Sequence, residues 1–184
     1  YRASFGVSAL VITPQNPSPA DDLSCSFSAN RTINNMTMWY KDNTSFNVLY
    51  MPFEANSYQE STFSRGYSDF GHIGNVTGLT WDNSSGRLGG AYYFDMQGQI
   101  DVSPTDALNI TDAMSIELWF KRNSTGTEQA LVSKMDDIYG WSAYSLFFQN
   151  NDTLKFRIAN NTQQCEIESS VIQDNLWHHA VATY

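Results

Sequence analysis

Charged residues are scarce in this chain, and their scarcity excludes several classes of protein. Only 16% of the 184 residues are Asp, Glu, Lys or Arg, against roughly 25% in an ordinary soluble domain. Ten Lys and Arg face 19 Asp and Glu, and the net charge of −9 would repel nucleic acids and anionic membranes. The longest nearly apolar run, residues 5–12, is far shorter than the roughly 20 residues of a membrane-spanning helix. We therefore expect no nucleic-acid partner and no membrane span in this segment.

Cysteine is almost absent as well. Cys25 and Cys165 are the only two, and neither lies in the Cys-x-x-Cys or Cys/His spacing of a zinc site. They could form one long-range disulfide in an oxidising compartment, or each could have a partner outside this sequence. The spacing alone leaves both alternatives open.

Asparagine, serine and threonine take the place of the missing charges. The N-glycosylation acceptor Asn-x-Ser/Thr occurs nine times, where the composition predicts about three by chance. The acceptors are Asn30, Asn35, Asn43, Asn75, Asn83, Asn109, Asn123, Asn151 and Asn160. The excess favours an extracellular glycoprotein, although an Asn- and Thr-rich surface also produces such motifs incidentally.

The hydrophobic pattern indicates an all-β protein. Apolar residues alternate with polar ones in short segments such as 116–121 and 154–158, while helical periodicity is nearly absent. The turn-rich segment 149–153 predicts a hairpin between two such strands. Each strand is therefore expected to bury one face.

Seven ordered sequence blocks follow residue 47: LYMPFE at 49–54, GNVTGLTW at 74–81, GRLGGAYYFD at 86–95, IDV at 100–102, MSIELWFK at 114–121, LVSK at 131–134 and WHHAVATY at 177–184. With these blocks the chain from residue 47 onward resembles the laminin-G-like, concanavalin A-type jelly-roll family. This resemblance implies a β-sandwich over residues 47–184. In that family further strands follow the Trp-His-His strand, so the resemblance implies a jelly roll that is incomplete at Tyr184.

Residues 1–46 contain Thr13-Pro14, the segment DLSC at 22–25 and the segment MWYKD at 38–42. In these pieces they resemble the Ig-like modules of archaeal surface proteins that a jelly roll interrupts. The resemblance implies a partial Ig-like β-sandwich whose remaining strands, with the partner of Cys25, lie outside this sequence. It also implies that Cys25 and Cys165 are not bonded to each other.

Candidate catalytic residues are few. Glucanases of the same architecture need closely spaced carboxylates on one strand, and the nearest candidates are Glu166 and Glu168. They lack a third acid, so a solvated strand face is the favoured interpretation. His178 and His179 would point to opposite faces of a strand and could not readily share a metal. We expect no enzymatic activity.

Two acidic loops are candidates for binding a glycan or calcium. Asp95 and Asp101 flank a segment where relatives often hold calcium with several aspartates, although this chain has fewer acids there. The second loop combines carboxylates with aromatic rings, which is how sugar rings are commonly held. Its residues are Asp136, Asp137, Tyr139 and Trp141. The alternative for that loop is a polar hairpin tip with partly buried aromatic side chains.

These observations favour a non-enzymatic extracellular glycoprotein with a structural, cohesive role in a cell-surface layer or filament. Its partners would be copies of itself or other surface proteins, joined at exposed strand edges, and the candidate intersubunit strand is the alternating apolar segment Tyr1 to Ile12. The alternative is a carbohydrate-binding or cell-adhesion module, attached or not to a secreted glycosidase. Saturable sugar binding would distinguish this alternative from cohesion.

Overall fold

The computed structural model describes residues 7–29, 38–54, 60–95, 97–136, 141–160 and 162–184. The chain divides into two compact units, Tyr1–Thr37 and Met38–Tyr184. The predicted domain boundary between residues 46 and 47 falls inside the second unit. The assignment of residues 1–46 and 47–184 as separate domains stays a prediction.

The first unit contains one antiparallel strand pair. Strand β1 (Val7–Thr13) pairs with β2 (Ser24–Ala29), with an irregularity between Ser8 and Val11. Every described pairing of the segment Tyr1 to Ile12 is made with its own unit, which argues against the intersubunit-strand hypothesis. The Ig-like character of this unit stays a prediction.

The second unit is built from short antiparallel strands, which confirms the all-β expectation. A 3₁₀ turn spans Asp106–Leu108. The strands are β3 (Tyr40–Lys41), β4 (Thr44–Ser45), β5 (Phe63–Arg65), β6 (Ile73–Thr77), β7 (Thr80–Asp82), β8 (Ala91–Tyr93), β9 (Gln99–Val102), β10 (Ser115–Lys121), β11 (Gln129–Asp136), β12 (Trp141–Phe148), β13 (Thr153–Ala159), β14 (Gln164–Val171) and β15 (Trp177–Thr183).

The largest sheet has four strands in the order β11-β12-β13-β14, so consecutive strands are neighbours. The turn between β12 and β13 is the hairpin that residues 149–153 predicted. Strands β10 and β15 form a separate pair that joins distant parts of the chain. Smaller sheets are formed by β5-β6-β9, β7-β8 and β3-β4.

The core lies between the β10–β15 pair and the four-stranded sheet. Phe120 of β10 meets Phe148 of β12 edge to face, with ring centroids 5.4 Å apart. Leu146, Leu154 and Phe156 complete the buried cluster from the side of the four-stranded sheet. On the other side Ile116, Leu118, Ala180 and Ala182 pack against it. Because alternate residues of a strand point to opposite faces, Ile116, Leu118 and Phe120 all reach this core, and two layers pack as in a β-sandwich.

A buried ion pair joins three loops at one end of these sheets. Arg122 Nη1 lies 2.6 Å from Asp152 Oδ1, and both side chains are almost fully buried. Gly126 N and Gln173 Nε2 also donate to the Asp152 carboxylate, at 2.7 and 2.9 Å. Gln129 Oε1 accepts from Arg122 Nε at 2.8 Å. The pair is well satisfied, as a buried charge must be.

Candidate functional site

The two aspartates predicted near the sandwich rim have separate local partners. Asp95 is exposed, and its Oδ1 accepts from the Gln97 amide at 3.2 Å. Asp101, on β9, is also exposed and accepts from Gln99 Nε2 at 2.6 Å. Within the described ranges, no group of three or more His, Cys, Asp or Glu could hold a metal ion. The calcium prediction therefore rests on the sequence alone.

The acidic–aromatic loop falls mostly outside the described residues. Asp137 and Tyr139 lie outside them altogether. The backbones of Asp136 and Trp141 pair at the end of the β11–β12 hairpin, but their side chains are outside the described part. A glycan or metal site in this loop stays a prediction.

Glu166 and Glu168 share one face of β14, as the sequence predicted. Both carboxylates form ion pairs with basic side chains of β13. Lys155 Nζ lies 2.7 Å from Glu166 Oε2 and 2.9 Å from Glu168 Oε1. Arg157 Nε lies 2.5 Å from Glu166 Oε1. Hydrogen bonds from Lys155, and then from Arg157, hold the pKa of Glu166 below its usual value, and those from Lys155 and Gln149 lower the pKa of Glu168. Carboxylates held ionised in this way are poor proton donors.

His178 and His179 point to opposite faces of β15, as predicted. His178 faces the core, where its ring stacks on Phe120 with centroids 5.5 Å apart and its Nε2 bonds the Asp174 carboxylate. His179 faces outward and is exposed. The two rings cannot hold one metal ion together.

The outer face of the β10–β15 pair presents an exposed group of chemically mixed side chains. We call Arg87, Glu117, Trp119 and His179 the outer-face cluster. Trp119 is 49% exposed and lies directly opposite His179 in the strand register. The two rings stack with centroids 4.8 Å apart and an interplanar angle of 22°.

Two charged groups flank the stacked rings. The Arg87 guanidinium lies 5.4 Å from the Trp119 ring centroid, at cation–π distance. Glu117 Oε1 lies 2.8 Å from His179 Nε2, two positions along β10 from Trp119. The cluster therefore offers an aromatic surface with hydrogen-bond donors and acceptors around it, the mixture that fixes polar ligands in protein sites.

The outer-face cluster was missed as a site by the sequence analysis. The signal was present, because Trp119 occupies a polar-face position in the alternating segment 116–121. A large aromatic side chain on the solvent side of an amphipathic strand departs from the expected polar pattern, and this departure indicates a candidate binding surface. The proximity of Arg87 could not have been read from the sequence, since it depends on the packing of a loop 32 positions before Trp119.

The glycosylation motifs lie on the surface wherever the structure describes them. Asn30 and Asn35 are outside the described residues, and the other seven acceptor asparagines are exposed. Asn151 Oδ1 accepts from Thr153 N at 3.2 Å and from Thr153 Oγ1 at 2.8 Å. The same arrangement links Asn160 to Thr162. Exposure is what a glycan requires, while occupancy stays a prediction.

The two cysteines lie on different strands, Cys25 on β2 and Cys165 on β14. Cys25 is half-buried and Cys165, on β14, is exposed. They form no disulfide with each other. Pairing of Cys25 with a cysteine outside this sequence stays a prediction.

Comparison with known proteins gives a family match for the C-terminal part of the chain. Residues 94–184 match the laminin-G family model described as Concanavalin A-like lectin/glucanases superfamily. The match covers strands β9 to β15, and so includes the core and all of the outer-face cluster except Arg87. Neither the curated proteins nor the solved structures gave a match. Among the described residues, no helix is long and apolar enough to cross a bilayer.

Proposed function

Because residues 94–184 match the family model described as Concanavalin A-like lectin/glucanases superfamily, we propose that this protein is a non-enzymatic extracellular glycoprotein that recognises carbohydrate. Recognition of glycans on another surface would make it an adhesion module. The observation that carries the proposal is Trp119, which stays 49% exposed although the His179 ring stacks on it and the Arg87 guanidinium lies over it.

The chemistry of the outer-face cluster suits a sugar. Sugar rings have apolar C–H faces and a rim of hydroxyl groups, so they are complementary to an aromatic surface bordered by donors and acceptors. Trp119 supplies the aromatic surface, while Arg87 can donate and Glu117 can accept hydrogen bonds. Placement on a paired β-strand rather than on a loop holds Trp119 in a fixed orientation.

Two further observations support the non-enzymatic and extracellular parts of the proposal. The carboxylates nearest to a glucanase pattern, Glu166 and Glu168, are engaged by Lys155 and Arg157. The seven described acceptor asparagines are all exposed, as an N-glycosylated surface requires.

Titration of the protein with a panel of neutral sugars, including glucose, galactose, mannose and N-acetylglucosamine, tests the proposal. We expect saturable binding of at least one sugar by calorimetry, weakened about 10- to 100-fold in Trp119→Ala through loss of aromatic contact area. Val181→Ala, at another exposed position of the same outer face, is the matched control and should bind as the unaltered protein does. Unchanged affinity in Trp119→Ala would reject the cluster as the site.

A cohesive role is the second candidate, and the exposed strand β14 favours it. β14 forms the edge of the four-stranded sheet in the described part of the chain, and all eight of its residues are exposed. Ile167 and Val171 are 69% and 55% exposed. Edge strands of this kind are templates for pairing with another chain.

Sedimentation over a range of protein concentrations tests cohesion. If β14 joins neighbouring copies, Ile167→Lys should reduce the assembled fraction, because it places a charge in the contact. Ser170→Lys adds the same charge at a position of β14 that is already polar and should have the smaller effect. If the unaltered protein is monomeric at all concentrations, cohesion is rejected. Saturable sugar binding in the same protein would then support carbohydrate binding as its function.

A further inference from the structure

A groove of about 410 Å³ lies on the β5–β6 hairpin, and none of its lining residues belongs to the outer-face cluster. Its volume is within the range of small-molecule sites. The lining residues are Phe63, Arg65, Gly66, Tyr67, Ser68, Gly71 and Ile73.

Strand alternation places the larger lining side chains on one side of the hairpin. Phe63, Arg65 and Tyr67 are two residues apart, and Ile73 lies directly opposite Arg65 in the register. The opposite side of β5 is fully buried at Ser64, so the groove faces solvent and not the core. An apolar wall remains uncovered there, since Ile73 is 51% exposed.

Arg65 is a cation without a carboxylate partner among the described residues. Its guanidinium lies 5.5 Å from the centroid of the Tyr67 ring. The nearest acid along the chain, Asp69, is turned elsewhere, because its Oδ2 accepts from Ser45 N at 2.7 Å. An unpaired guanidinium in a chain with 19 acids and ten bases is a group that a ligand can engage.

The groove thus combines one guanidinium, two aromatic rings and an aliphatic side chain. Guanidinium groups bind carboxylates through paired charge-assisted hydrogen bonds. Phe63 and Ile73 can contact the C–H face of a ring held beside that carboxylate. We propose that this groove is a second binding site, which takes a sugar ring bearing a carboxylate and pairs that carboxylate with Arg65.

Three ligands separate the parts of this proposal. Glucuronate carries both the ring and the carboxylate, glucose carries the ring alone, and acetate carries the carboxylate alone. We expect glucuronate to bind saturably and more tightly than either of the other two. The comparison is made in Trp119→Ala, which removes the proposed neutral-sugar site. In that variant, equal binding of glucose would reject carboxylate recognition, and equal binding of acetate would reject the ring contacts.

Substitution of Arg65 tests the site itself. Arg65→Gln, at an exposed position, should weaken glucuronate binding by about tenfold or more, in line with the loss of a hydrogen bond to a charged group. Lys41→Gln removes one exposed positive charge elsewhere in the same unit and is the matched control. Shifts of the Gly66 and Gly71 amide resonances on adding glucuronate would place the ligand in the groove.

The outcome is separable from that of the carbohydrate-binding function at the outer-face cluster. Trp119→Ala should leave glucuronate binding intact, whereas Arg65→Gln should leave neutral-sugar binding intact. Glucuronate binding that survives Arg65→Gln, or that is absent from the unaltered protein, would overturn the proposal whatever the neutral sugars do.

Discussion

The Asp152 carboxylate connects several loops of the fold through its hydrogen bonds and its ion pair. It accepts hydrogen bonds from Gln173 and from the Gly126 amide and pairs with Arg122, and these contacts, in that order, lower its pKa below the ordinary 3.8. Folding therefore favours the ionised carboxylate. The stabilisation is complete above pH 3.8 and is lost as the pH falls through the lower folded pKa.

Replacing Asp152 with Asn should make the protein less stable at pH 7 and less sensitive to acid. The amide keeps the shape of the side chain but leaves the buried Arg122 charge unpaired. We expect the free energy of unfolding to fall between pH 7 and pH 3 more steeply in the unaltered protein than in Asp152→Asn, as measured by urea unfolding. Asp95→Asn, at an exposed carboxylate, is the control, and equal pH slopes in all three proteins would contradict the assignment.

Among the strands, β12 contributes most of the buried core of the four-stranded sheet. Leu146 and Phe148 are its innermost side chains, and Phe148 is 0% exposed. The guanidinium of Arg122 also lies over the Phe148 ring, 4.2 Å from its centroid. The core and the buried ion pair therefore meet at this residue.

Phe148→Ala should lower the free energy of unfolding by about 3–5 kcal/mol, the usual cost of removing a buried phenylalanine side chain. Ile167→Ala removes an exposed side chain from β14 of the same sheet and should cost less than about 1 kcal/mol. Urea unfolding of both variants gives the comparison. Similar losses for the two would show that β14 is covered in solution.

The elements differed in how well the sequence predicted them. Strands β10 and β13 and the 149–153 hairpin were predicted, because alternation and turn residues are local signals. The pairing of β10 with β15 could not be derived from periodicity, since the two strands are joined only by long-range packing. The ion pair of Arg122 with Asp152 could not be predicted either, because the two residues are 30 positions apart and meet only in the folded chain.

The candidate sites were also predictable only where a local signal in the sequence decides them. His178 and His179 were assigned to opposite faces correctly, because period two decides the face of any strand residue. Neither Arg87 beside Trp119 nor Arg65 beside Tyr67 was predicted. Their surroundings depend on which loops and strand faces come together in the folded chain.

Over the whole molecule, glycans would supply the solubility that ionic side chains supply in most proteins. Large exposed apolar side chains occur on several strands, and charged residues are only 16% of the chain. A polar sugar layer would limit contacts between these apolar groups. The net charge of −9 adds longer-range repulsion.

Peptide mass spectrometry of the protein secreted from a glycosylating host should find sugar on exposed acceptors, including Asn151 and Asn160. Asn150, adjacent to Asn151 but outside any acceptor motif, should be unmodified and is the internal control. Removing the acceptors by Asn→Gln substitution should increase light scattering by the concentrated protein. Unmodified asparagine at every acceptor would remove the support for a glycoprotein.

The buried ion pair has a consequence for those sugars. Asn123 directly follows Arg122, and Asn151 directly precedes Asp152, so each acceptor is one residue, about 3.8 Å along the backbone, from a member of the same salt bridge. Sugar attached at either acceptor would therefore stand beside loops that the ion pair already holds together, so the fold fixes its point of attachment.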